Sequence, residues 1–311
     1  MRTIVTGHAT SRCETISIRG INYNIRRWGD AGAHPILFLH GAQDSSVTFQ
    51  FVVDALKGEW SITAPDWRGH GHSDWARQNY WFHEFVADLD ALMDRLFPGQ
   101  AVPVVGHSLG GNIASIYAGL RPERVTHLIS LDGLGPLINH MPVDIGAVLT
   151  RYLDDPRRIA EHRPYASLTE MARRLMRGSP RLDADKAGFL AEHSSLVQAD
   201  GSRRWLYDPS FSRSLPSLRG MDEWGAIWAR IRAPVLWIAS DERRPGAPTS
   251  SPETLASRKA SMGGPTFLQL PNTSHNLHHD CPEDVAAAIE AFVAGTWASH
   301  PAPGRVSAVA P

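Results

Sequence analysis

The stretch VPVVGHSLGGNIAS, residues 102–115, runs from an apolar segment through a serine boxed by glycines into a segment with helical spacing. Gly106, Ser108 and Gly110 spell G-x-S-x-G, and the order strand, sharp turn, helix is the context in which that spacing makes a nucleophile elbow. Glycines flank the serine because so tight a turn brings neighbouring backbone too close for side chains. Ser108 then projects its hydroxyl at the N-terminus of a helix, whose dipole favours developing negative charge.

On either side of this stretch lie further short, mostly continuous apolar runs: PILFLH (35–40), WSITAPD (60–66), VTHLISLDG (125–133), PVLWIAS (234–240) and TFLQLP (266–271). Strands buried on both faces read this way. Segments with helical spacing separate most of them, at about 46–56, 81–96, 109–120, 252–261 and 282–294. Strand alternating with helix predicts an α/β fold with a mainly parallel sheet covered on both faces. Before it, ETISIRGINYNIRRWG (14–29) alternates around Arg19 and Gly20 as an antiparallel hairpin does. Ligands of such sheets bind beyond the carboxyl ends of the strands, where His40, Asp66, Ser108, Asp132 and Asp241 fall.

One interval breaks the rhythm. Residues 136–220 are too many for a loop, and SLTEMARRLM and ADKAGFLAEHSSLV within them have helical spacing, so a small helical cap over the site is expected. The core domain then comprises 14–135 and 221–296. The end of the chain, ASHPAPGRVSAVAP, is rich in small residues and proline, and 297–311 is expected as a disordered tail.

A serine hydroxyl needs a base, and LPNTSHNLHHDCPED offers His275, His278 and His279 just past the last apolar run. His275 lies nearest the strand end and is assigned as that base. His278 and His279 are expected at the surface or in support of the site, since no carboxylate or cysteine completes a metal-ligand spacing around them. The base in turn needs a carboxylate to hold its tautomer. Asp132 and Asp241 both satisfy the chain order serine, acid, histidine. An oxyanion needs backbone donors, for which the Leu109 amide and the Ala42 amide, after His40 and Gly41, are the candidates.

The bulk numbers agree with an enzyme acting on a small molecule. With 311 residues the chain can bury a large core, and with 31 basic against 32 acidic residues it has no global field for nucleic acid or an anionic membrane. Its two cysteines, Cys13 and Cys281, have neither metal-ligand nor redox spacing, and MRTIVTGHATSRCET lacks the apolar centre of a signal peptide. A cytoplasmic protein without metal or cofactor is expected, and no segment signals an oligomeric state.

LFLHGAQDSS, APDWRGHGHSD, VVGHSLGGNIAS and LPNTSHNLHHDCPEDVAAAI, in this order and spacing, resemble the α/β-hydrolase superfamily from about residue 14 to 296. The resemblance implies that fold, with Ser108 as nucleophile, His275 as catalytic histidine, Ala42 and Leu109 as oxyanion donors, and His70 and His72 as structural. Most members carry the acid in a G-x-x-D context after the strand before the last, where IASDERRPG puts Arg243 near that position and Asp241 slightly early. Some relatives carry it after the preceding strand, and ISLDGLGP resembles that variant, which favours Asp132 over Asp241. That GLGP and the cap's RWLYDPSF are also similar to a serine-hydrolase-like branch. An aspartate nucleophile marks haloalkane dehalogenases and most epoxide hydrolases, so Ser108 argues against both.

The expected activity is cleavage of a small carboxylic ester or lactone through an acyl-enzyme. Hydrolysis of a carbon–carbon bond, thioester or amide by the same residues is the alternative. A non-catalytic small-ligand binder on the same fold is the alternative of another class. Of ten tryptophans, Trp67, Trp75, Trp205 and Trp224 are candidates for lining the site.

Overall fold

The computed structural model describes residues 7–76, 80–133, 135, 146, 150, 154, 161–213, 221–242 and 252–296. Strands β1 (Ser11–Ile18) and β2 (Ile21–Trp28) form the hairpin, three residues earlier than the alternation suggested, because Ser11 enters it as the partner of the buried Arg26 guanidinium. Arg19 and Gly20 turn it with φ of 48° and 79°, the two positive values of a tight hairpin turn.

Six parallel strands follow: β3 (His34–Leu39), β4 (Trp60–Pro65), β5 (Val102–His107), β6 (Val125–Leu131), β9 (Val235–Ser240) and β10 (Thr266–Leu270). The sheet order is β1-β2-β4-β3-β5-β6-β9-β10, and β2 alone runs against its neighbours. Alternate residues of each strand enter opposite cores. Leu37 and Leu39 join one with α2 (Phe82–Leu96), α3 (Leu109–Leu120) and α6 (Met221–Trp228). Ile36 and Phe38 join the other with α1 (Gln50–Ala55) and α9 (Pro282–Val293). Both faces are apolar, which is why the strands read as unbroken apolar runs rather than as alternation. In α2 the buried Phe85, Asp88, Leu89, Leu92 and Met93 recur at helical spacing.

The interval between β6 and β9 carries α4 (Leu168–Gly178) and α5 (Ala184–His193), each started by a side-chain cap, Ser167 on the Glu170 amide and Asp183 on the Lys186 amide. Leu182, Ala187 and Leu190 pack onto Phe51 of the core. The helical reading of SSLV is corrected: Ser195–Val197 is strand β7, paired antiparallel with β8 (Arg203–Trp205). The pattern of a single strand of three residues is too short to separate from a helix end. Most of 136–160, 214–220 and the expected tail from 297 lie outside the described residues. The core also holds α7 (Pro252–Ser261) and the four-residue α8 (Leu277–Asp280). Among the described residues no helix is long and apolar enough to cross a membrane.

Candidate active site

β5 ends at His107 and α3 begins at Leu109, leaving Ser108 alone at the turn with φ 50° and ψ −112°. Positive φ is strained for any residue with a side chain, and the surroundings hold it there. The Ser108 amide donates to the Leu131 carbonyl at 2.9 Å, and its carbonyl accepts from the Asn112 amide at 3.0 Å. The glycines are required by close approach rather than by φ. A Cβ on Gly106 would lie 2.5 Å from the Gly110 carbonyl, and one on Gly110 would lie 2.1 Å from the Leu39 carbonyl oxygen. Backbone cannot yield there, so Gly110→Ala is expected to cost about 4 kcal/mol or more. Thermal unfolding checks this; a Tm within a degree or two of wild type would contradict it.

His275 lies on the loop between β10 and α8. Its Nε2 is 2.9 Å from Ser108 Oγ and its Nδ1 is 2.6 Å from Asp132 Oδ2. Asp132 follows β6 directly, with φ 50°, a conformation aspartate tolerates better than most residues. Its amide donates to the Ile238 carbonyl at 2.8 Å, and its Oδ1 accepts from the Ser240 amide at 3.2 Å and the Ser240 hydroxyl at 3.3 Å. Asp241 faces elsewhere, and its carboxylate accepts from the Asn272 amide at 2.6 Å and the Thr273 amide at 2.9 Å. Burial, the largest single influence, works the other way, but those amides together hold its carboxyl below the usual range. Asp241 thus pins the loop that carries His275, and Asp132 touches the ring.

The turn after β3 reaches the same place. A Cβ on Gly41 would lie 3.3 Å from Ser108 Cβ, so the segment carrying Ala42 runs beside the serine. The Leu109 amide, first of α3, has no helical acceptor. The turn is tied down by His40, whose Nε2 accepts from the Trp67 amide at 2.8 Å while Nδ1 donates to the Gly41 carbonyl at 2.7 Å. Asp66 anchors the loop after β4, accepting from the Ser46 amide at 2.6 Å, Asn24 Nδ2 at 2.8 Å and the His72 amide at 2.9 Å. His70 stacks on Tyr207 and meets Phe211 edge-on.

Burial holds His40 and His70 neutral, lowering them to about 4 and about 3. A depressed histidine favours folding above its unfolded value near 6.5, and the benefit is lost as the unfolded chain takes up protons below that. Each contributes about 1.4 kcal/mol per pH unit, or roughly 4 kcal/mol for the pair from about pH 6 to 4.5. Urea unfolding across that window should show the loss; a flat profile would contradict it.

His278 and His279, expected at the surface or in support, are buried, and both hydrogen-bond Thr48 Oγ1, at 2.8 and 2.7 Å. Trp67 and Trp224 are core residues rather than pocket lining. Trp75 lies beneath the Arg204 guanidinium and Trp205 against Tyr165. Three supporting groups had no sequence signal of their own. Ser240 orients Asp132, Asp280 accepts from the Ser274 amide and hydroxyl at 2.6 Å, and His107 Nε2 donates to the His275 carbonyl at 2.9 Å. His107 is the variable position of G-x-S-x-G, which the spacing alone passes over.

A serine, an imidazole and a carboxylate joined in series at a helix N-terminus can activate an oxygen nucleophile and stabilise the imidazolium that forms. The family model described as alpha/beta hydrolase fold matches residues 34–282. A serine hydrolase-like protein of Danio rerio is 26% identical over 277 residues, covering 86% of this chain and 83% of its own. A probable serine hydrolase of Drosophila melanogaster is 29% identical over 287 residues, covering 86% and 82%. Among solved structures, a thioesterase domain from the curacin biosynthetic pathway superposes with a TM-score of 0.79 at 24% identity, over 90% of this chain and 99% of that one.

Proposed function

The chain belongs to the alpha/beta hydrolase family, and from that premise we propose that it is a serine hydrolase cleaving a small carboxylic ester or lactone. The serine hydrolase-like relatives support hydrolase activity in general. The observation that carries the finer reading is the pair of contacts on one imidazole, 2.9 Å to Ser108 Oγ and 2.6 Å to Asp132 Oδ2.

In this reading His275 Nδ1–H donates to Asp132, which leaves the Nε2 lone pair for the Ser108 proton. Ser108 Oγ attacks the ester carbonyl as its proton passes to Nε2. The oxyanion so formed is held by the Ala42 and Leu109 amides and by the positive end of α3. As the carbon–oxygen bond breaks, the Nε2 proton goes to the leaving alkoxide and the acyl group stays on Ser108. Water, deprotonated by Nε2, then attacks the acyl carbonyl, and the proton returns to Ser108 as the acid leaves. Asp132 stays ionised throughout and stabilises the imidazolium twice per turnover.

The test is steady-state hydrolysis of p-nitrophenyl esters of graded acyl length, with a burst of p-nitrophenol matching the enzyme concentration where deacylation is slow. Absence of turnover on every ester and lactone tried, in folded protein, would count against the substrate class. Covalent labelling of Ser108 tests the nucleophile separately.

A further inference from the structure

Behind the His275 loop, Asp44, His107 and His278 converge from three separate parts of the chain: the turn after β3, the end of β5 and α8. One ligand-type atom from each lies within 4.8 Å of the other two. The His107 and His278 rings are 4.2 Å apart between centroids, and both residues are buried. Each ring has one nitrogen committed, His107 Nε2 to the His275 carbonyl and His278 Nε2 to the Thr48 hydroxyl. Each leaves its Nδ1 buried with no hydrogen-bond partner among the described residues. Two orphaned ring nitrogens side by side are costly in a protein interior, where nearly every buried polar atom is paired.

Their protonation follows from these bonds. His107 Nε2 must carry a proton to donate to a carbonyl, and in the neutral ring that leaves Nδ1 a bare lone pair. Thr48 has one hydroxyl proton for two imidazoles and the Asp44 carboxyl. When that proton goes to Asp44 or to His279, the hydroxyl accepts from His278 Nε2–H, and His278 Nδ1 is then also a bare lone pair. Gly41 adds a further condition, since a Cβ there would sit 2.8 Å from His107 Nδ1 and fill the approach to it.

We propose that Asp44, His107 and His278 bind one divalent transition-metal ion of the zinc class, with water completing the coordination. Two imidazole nitrogens and one carboxylate oxygen are a donor set that zinc accepts, with bonds of about 2.0 to 2.2 Å. At such bond lengths tetrahedral ligand atoms stand about 3.4 Å apart, so three atoms spaced within 4.8 Å close onto an ion by side-chain adjustment. An ion on His107 Nδ1 makes Nε2–H a stronger donor to the His275 carbonyl and so stiffens the loop that carries His275, without entering the reaction path. The proposal is independent of the ester-hydrolase reading, because none of the three ligands is a reacting group in it.

The experiment is Co2+ titration of the metal-free full chain, read by the ligand-field spectrum and by bound metal per chain after dialysis, followed by displacement with Zn2+. It is run on wild type and on His275→Ala, which removes the imidazole of the Ser108 site as a competing ligand. His278→Gln and His107→Gln keep an amide in place of Nε2 and delete Nδ1; Asp44→Asn removes the carboxylate. One equivalent of Co2+ is expected in wild type and in His275→Ala, with affinity weakened at least about 100-fold in each ligand variant. Near-UV circular dichroism shows which variants are folded, and Asp44→Asn with His278→Gln carries the test if His107→Gln is not. No bound Co2+ in wild type would overturn the proposal and leave water as the partner of the two nitrogens. Binding lost in His275→Ala, or unchanged in the folded ligand variants, would also overturn it, by assigning the ion to another site.

Discussion

Ser108→Ala is expected to lower kcat/KM for a p-nitrophenyl ester by about 10⁵- to 10⁶-fold, with little change in thermal stability. The size of the effect follows from the series in which Ser108 stands: without its Oγ no acyl-enzyme forms, and His275 and Asp132 have nothing to activate but water. The small effect on stability follows from the backbone. Alanine keeps the Cβ, so the strain at φ 50° and the amide bond to Leu131 are unchanged, and only the hydroxyl's contact with His275 is lost. A residual rate from oxyanion donors and substrate binding should survive. A fall of less than tenfold would mean that hydrolysis runs through some other group.

Asp132→Asn is expected to cost about 10⁴-fold, and Asp241→Asn less than about tenfold. The Ser240 amide and hydroxyl donate to Asp132 Oδ1, so an asparagine there would keep its carbonyl oxygen toward Ser240 and turn its NH2 toward His275. An NH2 facing Nδ1 requires that nitrogen to accept, which moves the ring proton to Nε2 and removes the lone pair that Ser108 needs. Asp241 touches His275 only through the loop, by holding the Asn272 and Thr273 amides. An asparagine oxygen can keep one of those bonds, so the loss should fall on loop order rather than on proton transfer. The reverse ranking of the two variants would reassign the acid.

The two aspartates also show why sequence could name both and not choose between them by physics. β6 and β9 are neighbours in the sheet, with Leu131 opposite Ile238, so Asp132 and Asp241 leave adjacent strand ends, Asp241 two positions further along than Asp132. Which one meets the imidazole depends on the turn each makes: Asp132 enters its turn at φ 50° and takes the Ser240 donors, while Asp241 takes the amides of the next loop. Neither choice has a sequence signature beyond family resemblance. The elbow was more legible because its glycines answer to backbone at 2.1 to 2.5 Å, a demand that only glycine meets. The sheet was legible because both its faces are buried, and the family match over residues 34–282 agrees with that architecture.

Elements whose character depends on distant partners were not legible. The β7–β8 hairpin is three residues on each side, and the helical spacing before it ran on through SSLV. His278 and His279 looked like a polar start to the last helix, but Thr48, some 230 positions away in sequence, gives both a buried partner. The convergence of Asp44, His107 and His278 has the same origin, since no local spacing links a turn, a strand end and a helix so far apart in the chain.

The most direct measurement is labelling of the purified protein with a fluorophosphonate, which traps an activated serine without the natural substrate, and mapping of the adduct by peptide mass spectrometry. The predicted result is a single adduct on Ser108, forming at least about 100-fold more slowly in Asp132→Asn and at close to the wild-type rate in Asp241→Asn. Folded protein that stays unlabelled at Ser108 would contradict the acyl-enzyme account and leave a non-catalytic binder of small ligands in its place.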